Sequence, residues 1–198
     1  MEHIHPTFDK IIGRDAKESL LGQFSKVIWL TGLSGSGKTT LAIALEKELY
    51  KMGMLTQILD GDNIRSGINN NLKFSLADRN ENIRRIAEVT KLFLNCGVIP
   101  INCFISPTVE IRNLAKSIIG RNNIIEIHVK APLAVCEKRD VKGLYKKARA
   151  GEIKNFTGID SPYENPLHPD IVVETDKLSV EESIEQMLAA ILPLLKTK

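Results

Sequence analysis

Gly32-Leu33-Ser34-Gly35-Ser36-Gly37-Lys38-Thr39 reads GxxxxGK[ST], the spacing of a phosphate-cradling loop, and its flanks decide what it means. Ahead of it stands the apolar run Val27-Ile28-Trp29-Leu30; behind it Leu41, Ala42, Leu45 and Leu49 recur at helical spacing. Strand, loop and helix therefore follow one another as the motif requires. Glycines let the backbone take φ > 0 and turn several N–H groups inward, where they join the positive end of the helix in attracting phosphate. Lys38 is placed to reach the β- and γ-phosphates of a nucleotide, and the Thr39 hydroxyl to ligate Mg²⁺. A Gly/Ser-rich turn capped by Thr39 is the bland alternative, and it leaves the correct flanks unexplained.

Outward from the loop, short apolar runs alternate with helical patterns, the signature of repeated βα units around a buried parallel sheet. Strands are predicted at 27–31, 55–60, 98–104, 124–129 and 171–174, and helices near 38–52, 76–95, 108–119, 132–138 and 179–195. Residues 1–25 read as an N-terminal arm of mixed polarity with a short helix at 17–21, and 26–198 as a single domain. His3 and His5 in the arm are read as solvated. A composition 43% hydrophobic and 26% charged fits a soluble globular chain, and a net charge of +3 is too small to argue for a nucleic-acid partner. There is no apolar stretch of membrane-spanning length and no signal-peptide pattern. Cys96, Cys103 and Cys136 lack CxxC spacing and sit in apolar runs, which predicts reduced buried thiols and a cytoplasmic location.

Ligands of such sheets bind beyond the carboxyl ends of the strands. There Asp60-Gly61-Asp62-Asn63-Ile64-Arg65 offers carboxylates for an acceptor hydroxyl or Mg²⁺-bound water, and a cation for an anionic acceptor. An Asp-Gly turn with Asp62 capping the next helix is the local alternative. Ser75 and Asp78 are spaced as a capping box, and Arg79 and Asn82 share one face of the first turn, aimed at the strand ends. Arg84, Arg85 and Lys91 interleave with Glu81 and Glu88 as a solvated, salt-bridged face. Ser106 could accept a phosphoryl group; it could also be an N-cap with Pro107 as the first helical residue, which the spacing favours. The basic segment 138–154, hinged at Gly143, Gly151 and Gly158, suggests a cationic lid over nucleotide phosphates, about 140–160.

Together these pieces closely resemble the adenylyl-sulfate kinase (APS kinase) family: WLTGLSGSGKTT, LDGDNIR, FSLADRNENIRR, FISP, CEKRDVKGLYKKARAGEIKNFTGIDSPYE and a closing P-x-x-P-[DE], spanning Trp29 to Asp170. The resemblance implies an α/β, three-layer P-loop nucleoside-triphosphate hydrolase fold: a five-stranded, mainly parallel sheet with helices on both faces and a basic lid. It implies transfer of the γ-phosphoryl group of ATP, with Mg²⁺, to the ribose 3′-hydroxyl of adenylyl sulfate in sulfate activation. ATP would be held by Gly32, Leu33, Ser34, Gly35, Ser36, Gly37, Lys38, Thr39 and Thr40, with Thr39 the metal ligand. Lys38, Asp62 and Ser106 are the implied catalytic residues, Ser106 matching a serine often described as a phosphoserine intermediate. The acceptor would meet Asp62, Arg65, Arg79, Asn82, Ile105, Ser106 and Lys154, its adenine lying between Phe74 and Phe156.

The same resemblance implies a homodimer; one domain takes up the 198 residues, so ATP sulfurylase is expected on a separate chain, and charge and hydropathy lead us to expect no nucleic-acid or membrane partner. Asn71 and Lys73 depart from the family, which usually has an acid and a glycine there; if the glycine position needs φ > 0, lysine costs about 1 kcal/mol. A kinase for another small molecule or nucleotide would share the loop and the lid but has no reason to keep FSLADRNENIRR with NFTGIDSPYE. A nucleotide-switch module would need a guanine-reading NKxD stretch, which the sequence lacks.

Overall fold

Strands β1 (Val27–Thr31), β2 (Thr56–Asp60), β3 (Ile99–Cys103), β4 (Ile124–Lys130) and β5 (Ile171–Glu174) form one sheet in the order β2-β3-β1-β4-β5, and all four pairings are parallel. This computed structural model describes residues 3, 5, 7 and 10–196; residues 1, 2, 4, 6, 8 and 9 of the expected arm lie outside the described residues, as do 197 and 198. Every residue of β1 is buried because helices cover both faces of the sheet. Ile28 and Leu30 pack with Leu41, Leu45 and Leu49 of α2 (Lys38–Lys51) and with Met187 and Ile191 of α8 (Val180–Leu195). Val27 and Trp29 point the other way, against Ile83, Ile86 and Leu94 of α4 (Leu76–Asn95) and Ile111 and Ala115 of α5 (Val109–Ile119). Each such side chain contributes about 1.5–3 kcal/mol by burial. The chain leaves β1 toward β2 and β3 on one side and toward β4 and β5 on the other, so the phosphate loop sits where the strand order reverses.

The strands and the long helices agree with expectation to within a residue, β2 starting at Thr56 and β3 spanning Ile99–Cys103. The arm helix expected at 17–21 starts three residues earlier, and the short helices at 61–66 and 144–149 were not expected. Helix α1 (Arg14–Leu21) is docked rather than free: buried Glu18 accepts from Ser25 N at 2.7 Å and Arg14 Nε at 2.8 Å, and Gln23 donates to Gly97 O at 2.7 Å. Three short helices build the site: α3 (Gly61–Ser66) follows β2, α6 (Leu133–Arg139) follows β4, and α7 (Leu144–Arg149) follows α6.

Four local expectations are corrected. Ser106 does not cap α5: Thr108 does, accepting from Ile111 N at 3.2 Å, while Ser106 takes φ 44° and Pro107 stays outside the helix. Asp60, not Asp62, caps α3, accepting from Asp62 N at 3.0 Å. Cys96 is exposed, because it caps the C-terminus of α4 beyond the apolar stripe; Cys103 and Cys136 are buried, and all three thiols are free. Lys73 is not among the non-glycine residues with positive φ, which are Ser106, Asp140 and Asn155 among the described residues, so it carries no left-handed strain. Ser75 caps α4 as expected, although Asp78 answers it by accepting from the Ser75 hydroxyl at 2.7 Å.

Candidate active site

The loop after β1 is shaped by what surrounds it. Gly32 takes φ 154°, and a side chain there would run into the Val129 carbonyl of β4. Gly35 takes φ 72° over the Cys136 carbonyl, which would lie 3.1 Å from an added Cβ. Lys38 is only 8% exposed and folds back over the loop, its Nζ donating to Gly32 O at 2.9 Å and Leu33 O at 2.7 Å. Burial pushes its pKa down from 10.5 to about 8, opposed by Cys103, Cys136 and Asp60 and reinforced by the charge of Lys142. Ser36 is buried, Leu33, Ser34, Gly35 and Gly37 are half-buried, and Thr39 and Thr40 face solvent.

Thr39 Oγ1 donates to Asp60 Oδ2 at 2.8 Å. The other oxygen of Asp60 is taken by the N–H of Asp62, so the cap that starts α3 also aims Asp60 at Thr39. Sequence reasoning saw both acids and gave the site role to Asp62 alone; the signal for Asp60 is its place as the last residue of β2. Asp62 remains exposed, and its carboxylate meets Lys142 from the segment between α6 and α7. The Thr39 hydroxyl beside a carboxylate is the hard oxygen environment that suits Mg²⁺. Among the described residues no three His, Cys, Asp or Glu side chains gather as a protein-only metal site.

A second framework stands beside Asp62. Arg65 Nη1 donates to Lys73 O at 3.0 Å, and the guanidinium lies 4.5 Å from the centroid of the half-exposed Phe74 ring. Arg79 Nε donates to Phe74 O at 3.0 Å and Nη1 to Thr157 Oγ1 at 2.8 Å, while Nη2 reaches Asn155 O. One arginine thus bridges the residues flanking Phe156 to the backbone of Phe74. Burial lowers the pKa of both arginines, and the charge of Arg65 lowers that of Arg79 further. Asn82 is buried and accepts from Asn69 Nδ2 at 3.0 Å, which ties α4 to the loop before Phe74. Asn71 accepts from Arg85 Nη1 at 2.9 Å. Lys154 is exposed two residues before half-buried Phe156, and Ile105 is half-buried with its carbonyl accepting from Thr31 Oγ1 at 2.7 Å.

Ser106 is 2% exposed; its Oγ accepts from Trp29 Nε1 at 3.0 Å, and its carbonyl accepts from Arg112 Nη1 at 2.7 Å. Arg112 is itself buried beside Glu126 at 3.3 Å, a carboxylate shared with Lys116 at 2.7 Å. In the segment 140–160, Asp140 accepts from the N–H groups of Tyr145 and Lys146, both at 3.0 Å, and Lys142, Lys146, Lys147 and Arg149 are exposed. A cavity of about 720 Å³ lies between the end of β4 and residues 158–165; it shares Leu33 with the loop but none of the charged groups described above. No helix among the described residues is long and apolar enough to cross a membrane.

Residues 24–174 match the protein family described as adenylylsulphate kinase. The adenylyl-sulfate kinase of Bacteroides thetaiotaomicron is 61% identical over 196 residues, covering 99% of this chain and 98% of that protein. That of Clostridium acetobutylicum is 55% identical over 177 residues, covering 89% and 88%. Among solved structures, the Mycobacterium tuberculosis APS kinase CysC in complex with AMPPNP and APS aligns with a TM-score of 0.82 at 44% identity, covering 85% of this chain and 98% of that chain.

Proposed function

The chain belongs to the adenylylsulphate kinase family, and from that premise we propose how its residues pass the γ-phosphoryl group of ATP to the ribose 3′-hydroxyl of adenylyl sulfate, releasing ADP and 3′-phosphoadenylyl sulfate. N–H groups of the 32–37 loop cradle the ATP phosphates, apart from that of Ser36, which donates to Leu33 O at 3.2 Å, and Lys38 follows the charge that develops at the β,γ-bridge oxygen. Thr39, with Asp60 behind it, would hold Mg²⁺, which would neutralise phosphate charge there. Asp62 accepts the proton of the 3′-hydroxyl as it attacks. Arg65 and Arg79 take the anionic phosphosulfate bridge of the acceptor, and Phe74 and Phe156 stack on its adenine. Ser106 positions the wall of the site, and the 140–160 segment closes over the phosphates as a basic lid, with Lys142 already at Asp62.

The observation that carries this reading is Arg79, which joins the Phe74 carbonyl to the Asn155 carbonyl and the Thr157 hydroxyl and so builds a two-sided acceptor platform. The buried thiols Cys103 and Cys136 support a reducing, cytoplasmic setting. By the family resemblance the working form is a homodimer that receives adenylyl sulfate from an ATP sulfurylase. ADP release with adenylyl sulfate, AMP, gluconate, shikimate or no acceptor tests the assignment. Turnover is expected with adenylyl sulfate, and a preference for any other acceptor overturns it.

A further inference from the structure

Five consecutive carbonyls of the phosphate loop each accept a hydrogen bond from a side chain. Lys38 Nζ holds Gly32 and Leu33, Tyr145 Oη holds Ser34 at 2.9 Å, Arg139 Nη1 holds Gly35 at 3.2 Å, and Thr175 Oγ1 holds Ser36 at 2.7 Å. Each bond fixes one peptide plane of the loop, and with it the direction of the N–H that the plane carries. Lys38 acts from α2, Arg139 from the end of α6, and Thr175 from the residue after β5. Tyr145, on α7, has a second commitment. It is 3% exposed, and its ring meets Phe156 edge-on, centroids 4.9 Å apart at 76°. Leu33 of the loop and Phe156 both pack on one small apolar cluster that contains Tyr145 and Cys136 and is separate from the two cores beside the sheet. The backbone N–H of Tyr145 is fixed by Asp140 Oδ1, and that of Asn155, beside Phe156, by Asp160 Oδ2 at 2.7 Å.

We propose that Tyr145 is a positioning residue that couples the two substrates, its hydroxyl setting the Ser34 carbonyl of the ATP loop while its ring sets Phe156 against the acceptor base. The proposal rests on the reading of Phe156 as an acceptor platform. A loop ordered by ATP fixes the Tyr145 hydroxyl, the hydroxyl fixes the ring, and the ring edge fixes the face that Phe156 presents. Filling either site therefore lowers the ordering cost of filling the other, and the effect is reciprocal.

The test is a binding cycle on the 198-residue chain, titrating adenylyl sulfate by calorimetry with and without saturating AMPPNP and Mg²⁺. In the wild type AMPPNP is expected to tighten adenylyl sulfate by about 5-fold or more, the lower end of typical coupling. Tyr145→Phe keeps the ring and loses the hydroxyl; the factor should fall below about 2-fold, with affinity for adenylyl sulfate alone within about 2-fold of wild type. Thr175→Val loosens the Ser36 carbonyl without touching Phe156, so it should weaken AMPPNP and keep the factor. A Tyr145→Phe protein with the full factor, a wild type with none, or a Thr175→Val protein that loses it as completely each overturns the proposal. A wild type that does not bind adenylyl sulfate at all overturns the acceptor assignment beneath it instead.

Discussion

At the residue scale, Lys38 and Ser106 show how burial sets chemistry. Lys38→Ala is expected to cost at least about 100-fold in turnover, because no other group follows charge onto the bridging oxygen; near-normal turnover would sink the loop assignment. With its pKa lowered from 10.5 to about 8, Lys38 stays mostly protonated at neutral pH. ATP-analogue affinity should therefore fall as pH rises through about 8, and binding near that pH should take up a proton, read from calorimetry in two buffers of different ionisation enthalpy. The sign is fixed by the unfolded chain holding this proton up to 10.5, so ligand-free stability gains from Lys38 as pH rises between the two values. Ser106, buried and engaged by the Trp29 indole, suits positioning rather than a covalent relay. Ser106→Ala leaves that N–H unpaired at a cost of about 1–3 kcal/mol but should keep measurable activity. Asp62→Asn should lose more, about 100-fold or beyond. Transfer from a chiral γ-phosphate should invert configuration once; retention together with an inactive Ser106→Ala protein would establish the phosphoserine route.

At the element scale, the proposed acceptor platform is an agreement between the start of α4 and the segment after α7. Arg79 reaches from the first turn of α4 to Asn155 and Thr157, and Ser75 secures that turn. Stacking on an aromatic ring is worth about 1–3 kcal/mol per base, so Phe74→Ala or Phe156→Ala should weaken use of adenylyl sulfate by about 5- to 150-fold. ATP affinity should move far less. Loss of ATP binding with acceptor binding intact would mean that the two sites have been interchanged. Lys73, with no left-handed φ, and Asn71, which accepts from Arg85, leave this platform without the strain that the departures from the family pattern suggested.

At the scale of the whole molecule, the Arg112–Glu126–Lys116 group ties α5 to β4 and, through Ser106 O, to the site. Glu126→Ala leaves buried Arg112 without its carboxylate and should cost about 3–5 kcal/mol in urea unfolding, with a loss of kcat beyond what the remaining folded fraction explains. Wild-type stability in that variant would show the group to be dispensable. The sequence by itself determined the sheet, the loop and the strand ends that carry the site, because these depend on short-range signals: the β1 run, the glycines around Lys38 and the cap at Ser75. It also singled out Arg79 by helical spacing, and Phe74 and Phe156 by family resemblance, as expected acceptor residues. Only the tertiary structure decided that Asp60 backs Thr39, that Thr108 rather than Ser106 starts α5, and that Tyr145, Arg139 and Thr175 hold the carbonyls of a loop more than 100 residues away. Hydrogen bonds between segments so distant leave no periodicity or spacing in the chain; they exist only once β1, β4 and β5 lie side by side and bring their ends to one edge.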